Sequence, residues 1–94
     1  MKKPFNVLGL EVPVIQKKIL ENNDAGVFDP IKKEIHICKT LPKDQQKFVE
    51  IHELLHATFF RIGIEDLGID AGSEELLCNQ IATVLLDNFR LTRK

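Results

Sequence analysis

Phe48-Val49-Glu50-Ile51-His52-Glu53-Leu54-Leu55-His56-Ala57-Thr58-Phe59 decides how this chain is read. Phe48, Ile51, Leu55, Phe59 and Ile62 recur at helical spacing and form one apolar stripe. His52 and His56 are four residues apart, so on a helix their imidazoles stack on one face, along the border of that stripe. Two imidazoles so placed can grip one metal ion, and zinc is the usual occupant of such a pair. Glu53 is rotated away from both rings, in a position to act as a general base. The plain alternative is an ordinary helix whose two histidines are solvated or satisfied by carboxylates. The bare pentad does not separate the two readings, and the rest of the chain must.

Outward from the pentad, Gly63 suits a helix stop, so a helix is expected from about Asp44, as N-cap, to Ile62. Pro42-Lys43 also allows an earlier start. Gly63 to Gly72 read as a loop. Ser73 is the expected N-cap of a second helix running from Glu74 to about Arg90. Its broad apolar face would comprise Leu77, Ile81, Val84, Leu85 and Phe89. Upstream, Glu34-Ile35-His36-Ile37-Cys38 alternates with period two. With Val27-Phe28 and the turn residues Asp29-Pro30 it predicts a β-hairpin. Asn22-Asn23-Asp24-Ala25-Gly26 is a turn cluster. Val12, Val14 and Ile15 suggest a short strand that Pro13 pushes to an edge or entry; Ile15 to Leu20 could instead be a helical turn. Thr92-Arg93-Lys94 read as a frayed tail. The expected fold is α+β: one domain over residues 1–94, a short N-terminal strand and a β-hairpin packed on two antiparallel helices.

Composition removes several function classes. The chain has 94 residues and a net charge of -1. That shows no basic footprint for nucleic acid. No stretch is apolar for long enough to span a bilayer. Asn6, Gly9 and Glu11 interrupt the run after the basic Met1-Lys2-Lys3, so no signal peptide is expected. Cys38 and Cys78 form no C-x-x-C pair and are expected as free buried thiols in a reducing cytoplasm.

Two histidines hold zinc poorly, so a third ligand is needed. Glu74 and Glu75 open the second helix, which the loop folds back beside His56. From Glu75, residues three, four and seven on are Cys78, Asn79 and Ala82, small or polar, so the helices can approach closely. From Glu74 the same steps reach Leu77, Cys78 and Ile81, in the apolar stripe. Glu75 is therefore preferred, with Glu74 left open. Asn79, one turn on, is placed to hydrogen-bond a ligating imidazole.

His52-Glu53-Leu54-Leu55-His56 followed by Glu75-x-x-x-Asn79 resembles the gluzincin metallopeptidases. In the thermolysin-like members an Asp stands where this chain has Asn79. The short chain, with its hairpin Gly26-Val27-Phe28-Asp29-Pro30 to Ile35-His36-Ile37, is most similar to the single-domain proteins of phages and prokaryotes, including the ImmA/IrrE-type metallopeptidases. The resemblance spans roughly residues 25 to 89. It implies a zinc peptidase with His52, His56 and Glu75 as ligands and Glu53 as base, acting on a peptide or protein substrate in the cytoplasm. A transcriptional regulator is the substrate the resemblance implies. Two further expectations follow. Strand Ile35–Cys38 would pair with an extended substrate. An oxyanion donor is needed, and in a chain without Tyr the candidates are His36 and, more weakly, Arg61. A zinc-binding interaction module that does not cut is the alternative, as is a small helical adaptor without metal.

Overall fold

The computed structural model describes residues 2–94. It is α+β: five short strands, then two long helices. β1 (Phe5–Val7) and β2 (Leu10–Val12) form an antiparallel ribbon. β3 (Val14–Lys17), β4 (Gly26–Asp29) and β5 (Glu34–Cys38) form a second sheet in the order β3-β5-β4. β4 and β5 are the expected hairpin, with Phe28 opposite Ile35. Its turn is closed by Asp29, whose Oδ1 accepts from the amides of Ile31 (2.9 Å) and Lys32 (3.1 Å).

The N-terminal part is richer than the single strand expected. Pro13, which lacks an N–H, separates two strands that belong to different sheets. Ile15 to Lys17 continue as strand β3, parallel to β5 with Val14 opposite Ile35, rather than as a helical turn. β5 is therefore interior, paired on both sides, and cannot receive a substrate strand as the sequence suggested. The free edge on that side belongs to β4.

α1 (Lys43–Ile62) starts one residue before Asp44, with Pro42 in the cap position. Proline's fixed φ and missing N–H suit a helix entry, and the Gln46 amide bonds to Pro42 O at 2.9 Å. The helix stops as expected at Gly63, left-handed at φ 71°. α1 presses on the sheet with Val49 and Ala57, which join Ile35, Ile37, Val12 and Val14 in the core. Gly26 permits this approach: a Cβ there would overlap Val49 Cγ1 and crowd Glu53 Cγ. The stripe expected to carry the core lies to one side of that contact. Of its members only Ile51 is buried, at 8% exposed, and Ile62 is 49% exposed.

The loop after α1 holds a short 3-10 turn, Ile64–Leu67, with Ile64 buried. α2 (Ala71–Asn88) begins earlier than expected because Asp70, not Ser73, is its N-cap: Asp70 Oδ1 accepts from the Ser73 amide at 2.7 Å. It ends at Asn88, two residues short of Arg90. The only buried residues of α2 are Cys78 and Ala82, both 0% exposed, which are the small residues on the Glu75 face. The face expected from Leu77 to Phe89 is mostly open, with Val84 58% and Phe89 62% exposed. Small side chains let the helices close, and closure there turns the larger ones outward.

The C-terminal tail is docked rather than frayed. Arg93 stacks over the Phe5 ring at 3.9 Å. It donates to the carbonyls of Lys3 and Pro4 and lies 3.6 Å from Glu50. Of the two cysteines, both free, Cys78 is buried as expected, but Cys38 is only half-buried, with its thiol 3.1 Å from Thr40 Oγ1. No helix is long and apolar enough to cross a membrane.

Candidate metal centre

Helical spacing sets His52 and His56 side by side, their Nε2 atoms 3.2 Å apart. α2 brings Glu75 against both. Its Oε1 is 3.0 Å from His52 Nε2, and its Oε2 is 2.8 Å from His56 Nε2. These three residues form a group whose ligand atoms could share an ion. A tetrahedral zinc with bonds of about 2.0–2.1 Å needs ligand atoms about 3.3 Å apart, close to the separations here, and two imidazoles with one carboxylate are a donor set that zinc accepts. The expected triad is thus assembled by the fold.

Glu74 is also engaged. Its Oε2 lies 2.6 Å from His56 Nδ1, on the far side of the ring from Glu75. A carboxylate at one ring nitrogen fixes that nitrogen as the N–H and leaves Nε2 as the lone pair facing the other ligands. The sequence set Glu74 and Glu75 as rivals for one role; in the structure they contact different nitrogens of the same ring, Glu74 at Nδ1 and Glu75 at Nε2. The clue was available: two consecutive carboxylates on a helix are rotated apart and can approach one imidazole from two sides.

Asn79 does less than expected. It lines a small depression beside His52 and favours that ring's protonated form, but His52 Nδ1 is buried without a hydrogen-bond partner. His36 and Arg61 are both directed elsewhere. His36 is buried on its strand, and its Nε2 is 3.0 Å from Glu34 Oε1. It follows Ile35 and precedes Ile37, which face α1, so the pleat points it to the opposite side of the sheet. Arg61 donates to Leu8 O at 3.2 Å, at the β1–β2 turn. Neither lines the cleft in front of the triad.

Glu53 does line that cleft and is 7% exposed. Its nearest ring nitrogen, His52 Nε2, is 3.9 Å away, too far for a hydrogen bond. Burial pushes its pKa up to about 7; His56 pulls against that, while Glu75 adds to it. Burial lowers the pKa of His52, against the pull of Glu75. Burial also opposes charge on His56, but the bond to Glu74 and the nearby Glu53 and Glu75 outweigh it, and that pKa is raised. Cys78, beneath Glu74, is pushed up to about 12 by burial, so it remains a thiol.

No protein-family model, curated protein or solved structure matches this chain.

Proposed function

We propose that this chain is a zinc-dependent metallopeptidase of gluzincin type, with His52, His56 and Glu75 holding the ion. The observation that carries this reading is the meeting of two Nε2 atoms and one carboxylate within 3.2 Å of each other, beside a buried Glu53 open to the same cleft. A structural site needs no such acid, whereas peptide hydrolysis needs a group that accepts a proton near neutrality.

Zinc bound there would supply Lewis acidity, bringing a water's pKa to about 7 and polarising a carbonyl. The remaining steps belong to the chain. Glu53 takes a proton from water in the cleft and returns it to the departing amine. Glu74 keeps His56 in one tautomer and one orientation. β4 lines the cleft and is paired only with β5, so its outer edge can hold an extended substrate backbone. A cytoplasmic setting and a phage or prokaryotic source belong to the same proposal.

One observation favours the silent zinc-binding module instead. His36 and Arg61 point away from the cleft, which leaves no side chain evident as oxyanion donor. Two measurements decide. Elemental analysis of the purified protein should give one zinc per chain; no zinc removes both readings. Glu53→Gln should retain zinc and lose peptide cleavage, whereas zinc-loaded wild type that cuts nothing across a broad peptide mixture selects the module.

A further inference from the structure

The cleft in front of the triad is about 690 Å³, a normal size for a ligand site. Its walls are of two kinds. One is apolar and aromatic: Val27 and Phe28 from β4, Phe59 and Phe60 from α1, and Ile64. The Phe28 and Phe60 rings meet at 5.5 Å, tilted by 56°. Phe60 remains 44% exposed and Val27 39%, so apolar surface is left uncovered at the mouth. The other kind is acidic. Besides Glu53, Glu74 and Glu75, the lining includes Asp24, Glu65 and Asp66, and it contains no Lys or Arg. Among the described residues, Asp24, Glu65 and Asp66 make no ion pair.

The bias extends beyond the lining. From Phe48 to Phe89 the chain has eight carboxylates and a single Lys or Arg, Arg61, whose guanidinium is held at Leu8 O. A concave site walled by low-dielectric aromatic rings and one sign of charge focuses its field outward. It raises the local concentration of cations and repels anionic chains. A small uncharged or purely cationic ligand would leave the aromatic wall wet, and a purely apolar one would leave three free carboxylates unmatched.

We propose that the cleft selects a polypeptide segment in which a bulky apolar side chain lies next to Lys or Arg. The apolar side chain packs on the Phe28–Phe60 pair, and the cations face Asp24, Glu65 or Asp66. This names the substrate class of the peptidase site and rests on that reading for the chemistry, but not for the binding.

The experiment therefore measures binding apart from cleavage. Labelled peptides are titrated into zinc-loaded Glu53→Gln protein and followed by fluorescence anisotropy. The set compares Phe flanked by Lys, Phe flanked by Glu, and Ala flanked by Lys. The Lys–Phe peptide should bind about tenfold tighter than either control, and its advantage over the Glu peptide should shrink as salt rises. Asp24→Asn with Glu65→Gln and Asp66→Asn should erase the charge preference and leave the melting temperature and zinc content unchanged. Phe60→Ala should weaken the Lys–Phe peptide and not the Lys–Ala peptide. Equal affinity for Lys and Glu peptides, a preference that survives the triple variant, or no binding of any peptide overturns the proposal. If the preference holds while wild-type protein cuts none of the bound peptides, the peptidase reading fails and this one stands.

Discussion

Glu50 and Glu53 are one turn apart on α1, and both are buried, at 3% and 7% exposed. Their surroundings differ in one respect. Glu50 has two cations: Lys2 Nζ donates to its Oε2 at 3.1 Å, and Arg93 Nη1 is 3.6 Å from its Oε1. Through them it ties both ends of the described chain to the middle of the helix. Glu53 has no Lys or Arg within reach; His52 is 3.9 Å away, burial outweighs the pull of His56 and of the Phe28 amide, and its pKa rises to about 7. A buried carboxylate that is matched works as a fastening. An unmatched one on the same helix keeps its proton to higher pH, because burial strengthens the attraction around the first and destabilises the charge of the second.

The largest expected effect breaks the comparison on the reactive side. Glu53→Gln should lower peptide cleavage by about 10²–10⁴-fold, measured as kcat/KM on a substrate peptide, with zinc content unchanged. Cleavage retained at the wild-type rate would assign the proton to another group. Glu50→Ala tests the other side. It leaves Arg93 and Lys2 without their partner, but both are part-exposed and can be solvated, so it should cost about 2 kcal/mol in urea unfolding. The folded variant should still take up zinc, since Glu50 touches none of the three ligands. A Glu50→Ala protein as stable as wild type would mean that the two cations contribute only as surface charges.

A third prediction sharpens the contrast through pH. In the metal-free protein, the folded-state pKa of Glu53, about 7, lies above the ordinary 4.5. Between those values the folded state holds a proton that the unfolded chain has released. Stability therefore falls as pH rises from 4.5 to about 7, by on the order of 2 kcal/mol. The raised His56 acts in the same sense and the lowered His52 in the opposite one. Subtracting the Glu53→Gln curve from the wild-type curve isolates the acid. Urea midpoints at about pH 5 and about pH 8 are sufficient, and a flat difference curve would mean that Glu53 is solvated like an ordinary carboxylate.

Features that rest on local spacing were legible in the sequence. The i, i+4 histidines, the Gly63 stop, the β4–β5 hairpin and the approach of Glu75 to both imidazoles past its small neighbours all follow from one or two turns of chain. Features set by distant partners were not. Nothing near Ile35–Cys38 indicates that Val14–Lys17 will pair along it, which is why β5 looked free for a substrate and is not. Arg93 has no periodic signature, so its place on Phe5 and Glu50, across nearly the whole chain, was hidden. The β1–β2 ribbon turns at Leu8, left-handed at φ 51°, a conformation that leucine does not advertise; Asn6 Oδ1 supports it by accepting from the Gly9 amide. The cap of α2 was missed for a different reason. Asp70 and Ser73 are equally good cap residues three apart, and the one that starts the helix supplies the acceptor while the other supplies the amide.

The smallest expected effect concerns Glu74, which falls between the two cases. It is matched, like Glu50, but by a histidine proposed as a metal ligand, and its side chain is 20% exposed against 4% for Glu50. Its removal should not unfold the protein, and it should not stop proton transfer. What is lost is the hold on His56 Nδ1, so the ring can adopt the other tautomer or turn its Nε2 away from Glu75. Glu74→Ala should therefore weaken zinc affinity about 10–100-fold in chelator competition. Glu74→Gln should recover part of that, since an amide oxygen still accepts from Nδ1–H. Glu75→Ala should abolish stoichiometric zinc, because it removes a ligand rather than its support. If Glu74→Ala instead empties the site while Glu75→Ala leaves it filled, the two carboxylates have exchanged roles, and the ion sits on the Nδ1 side of His56, against Cys78.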